Sequence, residues 1–209
     1  MGINYSKAFL DEHRDINTGW SSDWYDTVYE DFKEKMIEEY GIEVEKMYFS
    51  GFWSQGDGAC FEGYVENWER FLAKCGYEDP ILLWHAKEWF KFSCKHRGFY
   101  YHSNSVDFTT DLPVPEHDED QQFIYVYTNF DPDDLRASAA LVVLNQYEEY
   151  KLYDEFKSMF QKQMDELYDM LEAEYEYLTS DEAVAETLDA NGIEEPTEEE
   201  QQLPHPLTN

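Results

Sequence analysis

A single hydrophobic stripe runs through the second half of the chain, from Asp131 to Leu178. Its apolar side chains recur at steps of three and four, which places them on one face of an α-helix. Asp131 suits the N-cap, and Pro132 suits the first helical position. The pattern predicts one long acidic helix, about 70 Å long if unbroken, with a break near Asn145 or a helical hairpin as alternatives. The stripe comprises Leu135, Ala139, Val142, Val143, Tyr147, Tyr150, Tyr153, Phe156, Phe160, Met164, Leu167, Leu171, Tyr175 and Leu178.

The preceding part of the chain, residues 20–110, changes its hydrophobic period twice. Helical spacing from Trp24 ends at Gly41, a residue type that commonly caps a helix C-terminus. Beyond it, residues 42–52 and 59–65 alternate with a period of two. The Asp-Gly sequence between these two runs predicts a β-hairpin.

Further elements are predicted before residue 111. Residues 66–75 have the pattern of a short helix, and a longer helix is expected from Pro80 to about His96. Strands at residues 99–103 and 106–110 would form a second hairpin across Asn104 and Ser105. The resulting fold class is α+β, a small antiparallel sheet with packed helices followed by a long acidic C-terminal helix or helical hairpin.

The remaining segments are polar or ambiguous. Residues 123–130 suit a strand by propensity and a helical turn by position, and both interpretations stay open. A short helix begins near Ser180 and ends at Asn191 and Gly192. The predicted organisation is a flexible arm over residues 1–19, an α+β module over 20–110, a linker over 111–122, an acidic helical part over 123–192 and a disordered acidic tail over 193–209.

Negative charge is the main compositional feature. The formal net charge is −32, and residues 111–209 carry 27 acidic and 4 basic residues against 20 and 11 in residues 1–110. Such a charge repels nucleic acids and anionic membranes and attracts basic protein surfaces. We therefore expect no direct binding of nucleic acid and no membrane association. Solubility alone is the simpler explanation of the charge.

The chain has three cysteines, Cys60, Cys75 and Cys94. They form no C-x-x-C pair, and an odd number of cysteines argues against a disulfide framework. We expect free, largely buried thiols. Neither a signal peptide nor a membrane-spanning run is visible, and the predicted location is the cytoplasm.

The loop Ser54, Gln55, Gly56, Asp57 and Gly58 is the candidate ligand or catalytic site. Its glycines could let the backbone approach an anion, and its polar side chains could hold a substrate. Neither a nucleophile elbow nor a phosphate-binding motif is present. The structural alternative is a tight hairpin that needs positive φ at Gly56 and Gly58.

No cofactor, catalytic residue or metal site is predicted. His85 and His96, eleven residues apart on the expected helix, would lie about 16 Å apart, too far to bind one ion. Cys94 and His102 do not complete a ligand set.

Acidic side chains of the long helix are the candidate partner-binding residues: Glu148, Glu149, Asp154, Glu155, Asp165, Glu166, Asp169 and Glu172. Mimicry of DNA by these carboxylates is one hypothesis. From Asp133 to Leu178 the helix has twelve carboxylates. Over about 70 Å this gives one per roughly 6 Å, whereas duplex DNA carries one charge per about 1.7 Å. The helix alone is too sparse, so mimicry requires another acidic helix or a second subunit, and a homodimer is one way to supply it.

Two segments resemble a family of small acidic proteins of tailed bacteriophages. They are YFSGFWSQGDGACFEG, from Tyr48 to Gly63, and EYEYLTSDEAVAETL, from Glu174 to Leu188. The resemblance carries over no active-site residues. It implies a phage product that acts in the bacterial host cytoplasm, where small acidic phage proteins often inhibit host nucleic-acid machinery.

These observations favour an interaction protein over an enzyme. The leading hypothesis is a phage-encoded inhibitor or modulator of a host nucleic-acid-acting or defence protein, bound through a basic surface and including mimicry of DNA. The alternatives are a small-ligand binder or enzyme that uses the Ser54–Gly58 loop, and a virion assembly component.

Overall fold

The computed structural model describes residues 5–19, 23–96, 104–110, 116–117, 123–124 and 149–197. The chain divides into two units. A terminal unit comprises Met1–Val28 with Met170–Asn209, and a central unit comprises Tyr29–Asp169. The helices are α1 (Lys7–Glu12), α2 (Asp26–Lys35) with a π-helical extension (Met36–Tyr40), α3 (Trp68–Lys74), α4 (Pro80–Trp89), α5 (Glu149–Leu178) and α6 (Asp181–Asn191).

The central unit contains a four-stranded antiparallel sheet with the order β1-β2-β3-β4. This sheet and the packed helices confirm the predicted α+β class. The strands are β1 (Ile42–Phe49), β2 (Ala59–Val65), β3 (Phe90–His96) and β4 (Asn104–Thr110), and β5 (Glu116–His117) pairs separately with β6 (Phe123–Ile124).

The predicted first hairpin is confirmed. Ile42 pairs with Val65 at its open end and Phe49 with Ala59 near its turn, with a bulge between Val44 and Lys46. The backbones of β1 and β2 approach closely, because a Cβ at Gly63 would lie 2.3 Å from the carbonyl oxygen of Glu43. Only glycine fits this position without a backbone shift.

An aromatic core joins the sheet to the helices. Phe61 of β2 and Phe92 of β3 contact Phe160 of α5, with ring centroids 5.7 Å and 4.8 Å away. Phe32 of α2 packs on Phe61 and Phe71 of α3 packs on Phe92. All five rings are at most 2 % exposed. Helices α2, α3 and α5 therefore cover the same face of the sheet.

The apolar stripe of α5 is buried as its spacing predicts. Of its predicted members, Phe156, Phe160, Met164, Leu167 and Leu171 are at most 1 % exposed, and Leu152, which the prediction did not include, is equally buried. Tyr153 and Tyr175 are half-buried, so the tyrosines lie at the margin of the stripe. The predicted start of this helix at Asp131 and the proposed break near Asn145 lie outside the described residues.

The prediction for residues 90–96 was wrong. The helix that begins at Pro80 ends at Trp89, and the next seven residues form β3. Buried Phe90, Phe92 and Cys94 alternate there with more exposed residues, and this period of two is typical of a β-strand. The expected turn at Asn104 and Ser105 is also wrong, because both residues belong to β4. The expected strand at 99–103 lies outside the described residues.

The helix before the hairpin follows its prediction. Val28, Phe32 and Met36 are buried on one face. Gly41 ends the segment in the left-handed conformation, with φ of 66°, and its N–H donates to the Met36 carbonyl. A Cβ at Gly41 would lie 2.4 Å from the Asn67 carbonyl oxygen, so this glycine also permits close packing.

The terminal unit shows order where the sequence predicted a flexible arm. Helix α1 packs on α6 through a small core of Tyr5, Phe9, Leu10, Val184 and Leu188. Ser6 caps α1, and Ser180 caps α6 by accepting a hydrogen bond from the Ala183 amide at 3.2 Å. Apolar Phe9 and Leu10 supply the packing that the polar composition of residues 1–19 obscured.

Two other expected irregular segments contain defined contacts. The Tyr5 hydroxyl donates to the Ile193 carbonyl at 2.9 Å, and the Ser6 amide donates to Glu195 at 2.8 Å, within the expected disordered tail. Residues 198–209 lie outside the described residues. Within the expected linker, Glu116–His117 forms β5. No helix among the described residues combines the length and apolarity needed to cross a bilayer.

Candidate functional site

The Ser54–Gly58 loop is held together by Asp57. The Asp57 carboxylate accepts a hydrogen bond from the Ser54 amide at 2.7 Å, and the Asp57 amide donates to the Ser54 carbonyl at 3.1 Å. Gly56 has φ of 96°, as predicted, but Gly58 does not have positive φ. Positive φ occurs instead at Gly51, at 125°. This geometry is that of a hairpin turn, and it engages part of the Asp57 carboxylate in the turn itself.

Two aromatic residues stand immediately before this loop. Trp53 is 67 % exposed and has a positive φ of 66°, which is rare for a bulky side chain. Phe52 packs on Trp53 and on Tyr168 of α5, with ring centroids 5.6 Å and 5.5 Å away. The loop is therefore seated against α5 by aromatic contacts.

A cleft lies between the loop and α5, and we call it the loop–helix cleft. Its volume is about 310 Å³. Asp57, Gly58 and Ala59 line one side, and the other side is formed by Met164, Asp165, Tyr168 and Asp169. The structure thus brings together Asp57 and Gly58 from the candidate loop with Asp165 and Asp169 from the candidate partner-binding set.

The other predicted partner-binding residues have different surroundings. Glu155 accepts a hydrogen bond from the Tyr77 hydroxyl, and Glu166 forms an ion pair with Lys35. These half-buried carboxylates hold α5 to neighbouring elements. Glu172 is half-buried in the terminal unit, Glu148 lies outside the described residues, and nothing is described for the side chain of Glu149. Exposed carboxylates of the central unit on α5 are Asp154, Asp165 and Asp169.

The charge on α5 is divided into two groups. Residues 149–155 contain three carboxylates, and the next carboxylate is Asp165. The interval contains Lys157 and Lys162, which are both exposed. At about 1.5 Å per residue it spans roughly 15 Å. The helix therefore does not carry the evenly repeated charge of a nucleic-acid strand.

A second, smaller cleft of about 220 Å³ lies beside α3 and contains Glu69, Glu78 and Asp79. Glu69 accepts a hydrogen bond from Lys87 at 3.5 Å, and Asp79 accepts one from the Leu82 amide at 3.4 Å at the start of α4. At least two of its acids thus have structural partners. The loop–helix cleft is the stronger candidate.

Metal binding and thiol chemistry have little support in the described residues. No group of three histidine, cysteine or acidic side chains there is arranged to hold a metal ion. His96 lies on β3, so the helical spacing used to judge His85 and His96 does not apply. Burial raises the pKa of Cys60 and of Cys75 to about 12, and it also raises that of Cys94. These free thiols are poor nucleophiles near neutral pH.

Met164 and Tyr168 line the site but were absent from the sequence-based candidates. Met164 was assigned to the core stripe, and it is buried. Tyr168 follows Leu167 on the helix and reaches Phe52 at the margin of that stripe. The signal available in the sequence was a tyrosine that lies between two aspartates, Asp165 and Asp169, at helical spacing.

A family model covers most of these elements. The model described as "Domain of unknown function (DUF8835)" matches residues 24–181. The chain belongs to the DUF8835 family. The match includes the complete hairpin and α5, so the loop–helix cleft lies within the DUF8835 domain, whereas α1 lies outside it. No curated protein matches the chain, and no solved structure matches it.

Proposed function

We propose that this DUF8835 protein is a phage-encoded inhibitor or modulator that binds a basic surface of a host protein through its carboxylates. The partner class is a nucleic-acid-acting or defence protein in the bacterial cytoplasm. One observation carries the proposal: Asp154, Asp165 and Asp169 lie exposed on α5, on the side opposite its buried stripe, in a chain of net charge −32.

Packing explains why these carboxylates are available to a partner. The buried stripe anchors α5 on the sheet through Phe156 and Phe160, while Glu155 and Glu166 attach its flanks to Tyr77 and Lys35. The helix is thereby held without the outward aspartates. A rigid array of exposed charge accelerates encounter with an oppositely charged surface and gives specificity to the complex.

Mimicry of DNA is a narrower form of the proposal. The interval between Glu155 and Asp165, which contains Lys157 and Lys162, argues against imitation of a regular phosphate strand by α5 alone. A partner with two separate basic patches fits the charge distribution better. A homodimer that places two acidic helices together remains the arrangement under which mimicry is expected.

A small-ligand function of the loop is the second candidate. The loop–helix cleft supports it because Asp57 and Gly58 line a concave surface. The hydrogen bond from the Ser54 amide to Asp57 argues against a small-ligand function, since that carboxylate stabilises the turn.

The test of the leading proposal is affinity purification from bacterial lysate, with identification of the captured proteins. The bait is the full chain, compared with the triple variant Asp154→Asn, Asp165→Asn, Asp169→Asn. We expect a nucleic-acid-binding host protein that is captured at about 50 mM salt, is released by about 300 mM salt and is lost with the triple variant. Capture that is equal for both baits and insensitive to salt would contradict the proposal. Presence of the protein in purified virions would instead support an assembly role.

A further inference from the structure

We infer that the loop–helix cleft receives an arginine side chain of the partner protein. The inference rests on the proposed function, because it names the group on the basic surface that enters this site. The inference identifies the cleft as one contact point with the partner and explains why a guanidinium group binds there.

The first argument is the distribution of polar and apolar groups in the cleft. Gly58, Ala59 and Met164 are buried and form an apolar base, whereas Asp165 and Asp169 are exposed. Arginine has the matching form, an apolar stem that packs on hydrophobic surface and a cationic head that stays near water and carboxylates. A cleft of about 310 Å³ has room for one such side chain.

The second argument is charge complementarity. Three of the seven lining residues are aspartates and none is basic. A guanidinium group spreads its charge over five N–H donors and can contact more than one carboxylate at once.

The third argument favours arginine over lysine. The Tyr168 ring lines the cleft and is supported by Phe52 at 5.5 Å between ring centroids. A guanidinium plane stacks on an aromatic ring and is weakly hydrated, whereas a lysine ammonium is a strongly hydrated point charge. The combination of an aromatic wall with aspartates therefore selects arginine.

The experiment is a two-dimensional NMR titration of the full chain labelled with ¹⁵N, using three probes without terminal charges. The probes are N-acetyl-arginine amide, N-acetyl-lysine amide and N-acetyl-citrulline amide. We expect the arginine probe to shift the amides of residues 57–59 and 164–169, the lysine probe to shift them less, and the uncharged citrulline probe to leave them unchanged. Equal shifts with citrulline would overturn the inference.

Variants separate the cleft from general acidity. Asp165→Asn and Asp169→Asn each remove one lining carboxylate, and Asp31→Asn is the matched control, an exposed aspartate of α2 that neither lines the cleft nor belongs to the proposed partner-binding residues. Asp57 is kept because its carboxylate supports the turn. We expect about five-fold weaker binding of the arginine probe for each cleft variant and no change for the control. Thermal melting of each variant checks that the fold is retained.

Binding of a nine-residue arginine-rich peptide distinguishes failure of the cleft inference from failure of the proposed function. If all three variants weaken its salt-dependent binding equally, the cleft inference fails while binding of a basic surface stands. If the wild-type chain does not bind this peptide at low salt, the proposed function fails as well. Selective weakening by Asp165→Asn and Asp169→Asn supports both.

Discussion

Phe52 at the tip of the β-hairpin packs on Tyr168 of α5, with 5.5 Å between the ring centroids. The contact joins two segments that are far apart in the chain, and its Tyr168 partner also lines the loop–helix cleft. Tyr168 thus has two roles, since its ring both supports the hairpin and lines the site.

Replacing Phe52 with alanine should loosen the hairpin tip. We expect the free energy of unfolding to fall by about 1–2 kcal/mol, because a partly buried aromatic contact is lost. Binding of the arginine probe should weaken although every carboxylate is retained. Chemical denaturation and the NMR titration measure the two effects. Tyr168→Phe is the control, since it keeps the ring, and a comparable loss in that variant would contradict the role of ring packing.

Gln163 is a polar residue on the buried face of α5, and it is 0 % exposed. Its Oε1 atom accepts no hydrogen bond in the described structure. A buried acceptor without a donor loses its hydration with little in return. We therefore expect Gln163→Met, which has a similar length, to raise the free energy of unfolding by about 1–2 kcal/mol.

Urea denaturation followed by circular dichroism measures that change. The half-buried Gln161 serves as a control on the same helix at the corresponding substitution, Gln161→Met, for which little change is expected beyond loss of its hydrogen bond to Asp165. Destabilisation by Gln163→Met would show that this amide has a structural role.

Acid should weaken the terminal unit, because two of its carboxylates form interactions that protonation would remove. Lys7 and then Arg14 lower the pKa of Asp181 below its ordinary 3.8, and bonds from Ser6 lower the pKa of Glu195 below 4.5. A lowered folded-state pKa contributes stability above the ordinary value, and this is lost as the pH falls through the folded-state value. The hydrogen-exchange protection factors of α1 amides should therefore fall below about pH 4, and Asp181→Asn should have lower protection factors already at neutral pH. Equal acid sensitivity in that variant would contradict the assignment to Asp181.

Alkali should weaken the same unit through Tyr5. Burial, followed by the hydrogen bond to Asp189, raises the pKa of Tyr5 from 10.0 to about 12. The raised value contributes stability that is complete below pH 10.0 and is lost as the pH rises through about 12. We expect the melting temperature to decline over that interval. In Tyr5→Phe this component should be absent, and an unchanged alkaline profile in the variant would exclude Tyr5 as its source.

Local patterns were sufficient for much of the fold. The Asp-Gly turn between two alternating runs predicted the pairing of β1 with β2, and Gly41 and Gly192 mark helix ends in the left-handed conformation. The stripe of α5 was recognised from its spacing. In each case the determining interactions lie within one element or between neighbours, so the sequence displays them directly.

The boundary between α4 and β3 could not be recognised from local sequence patterns. No glycine or proline separates Trp89 from Phe90, so the helical interpretation continued past the true boundary. Pairing with β4 and contacts with Phe71 decide the structure of Phe92, and both are long-range. The loop–helix cleft was hidden for the same reason. Asp57 and Asp165 were both identified as candidates, but their common location depends on how the hairpin packs on α5.

The contacts between α1 and the end of the chain have a mechanical consequence. Ser6 binds Glu195 at one end of the α1–α6 pair, and Arg14 binds the Thr179 carbonyl at 2.7 Å toward the other. A force applied between the two ends of the described chain would break these bonds one after another, as in a zipper, rather than load them together in shear. The terminal unit should thus open at low force in a single-molecule pulling experiment, with a sequence of small steps instead of one abrupt rupture.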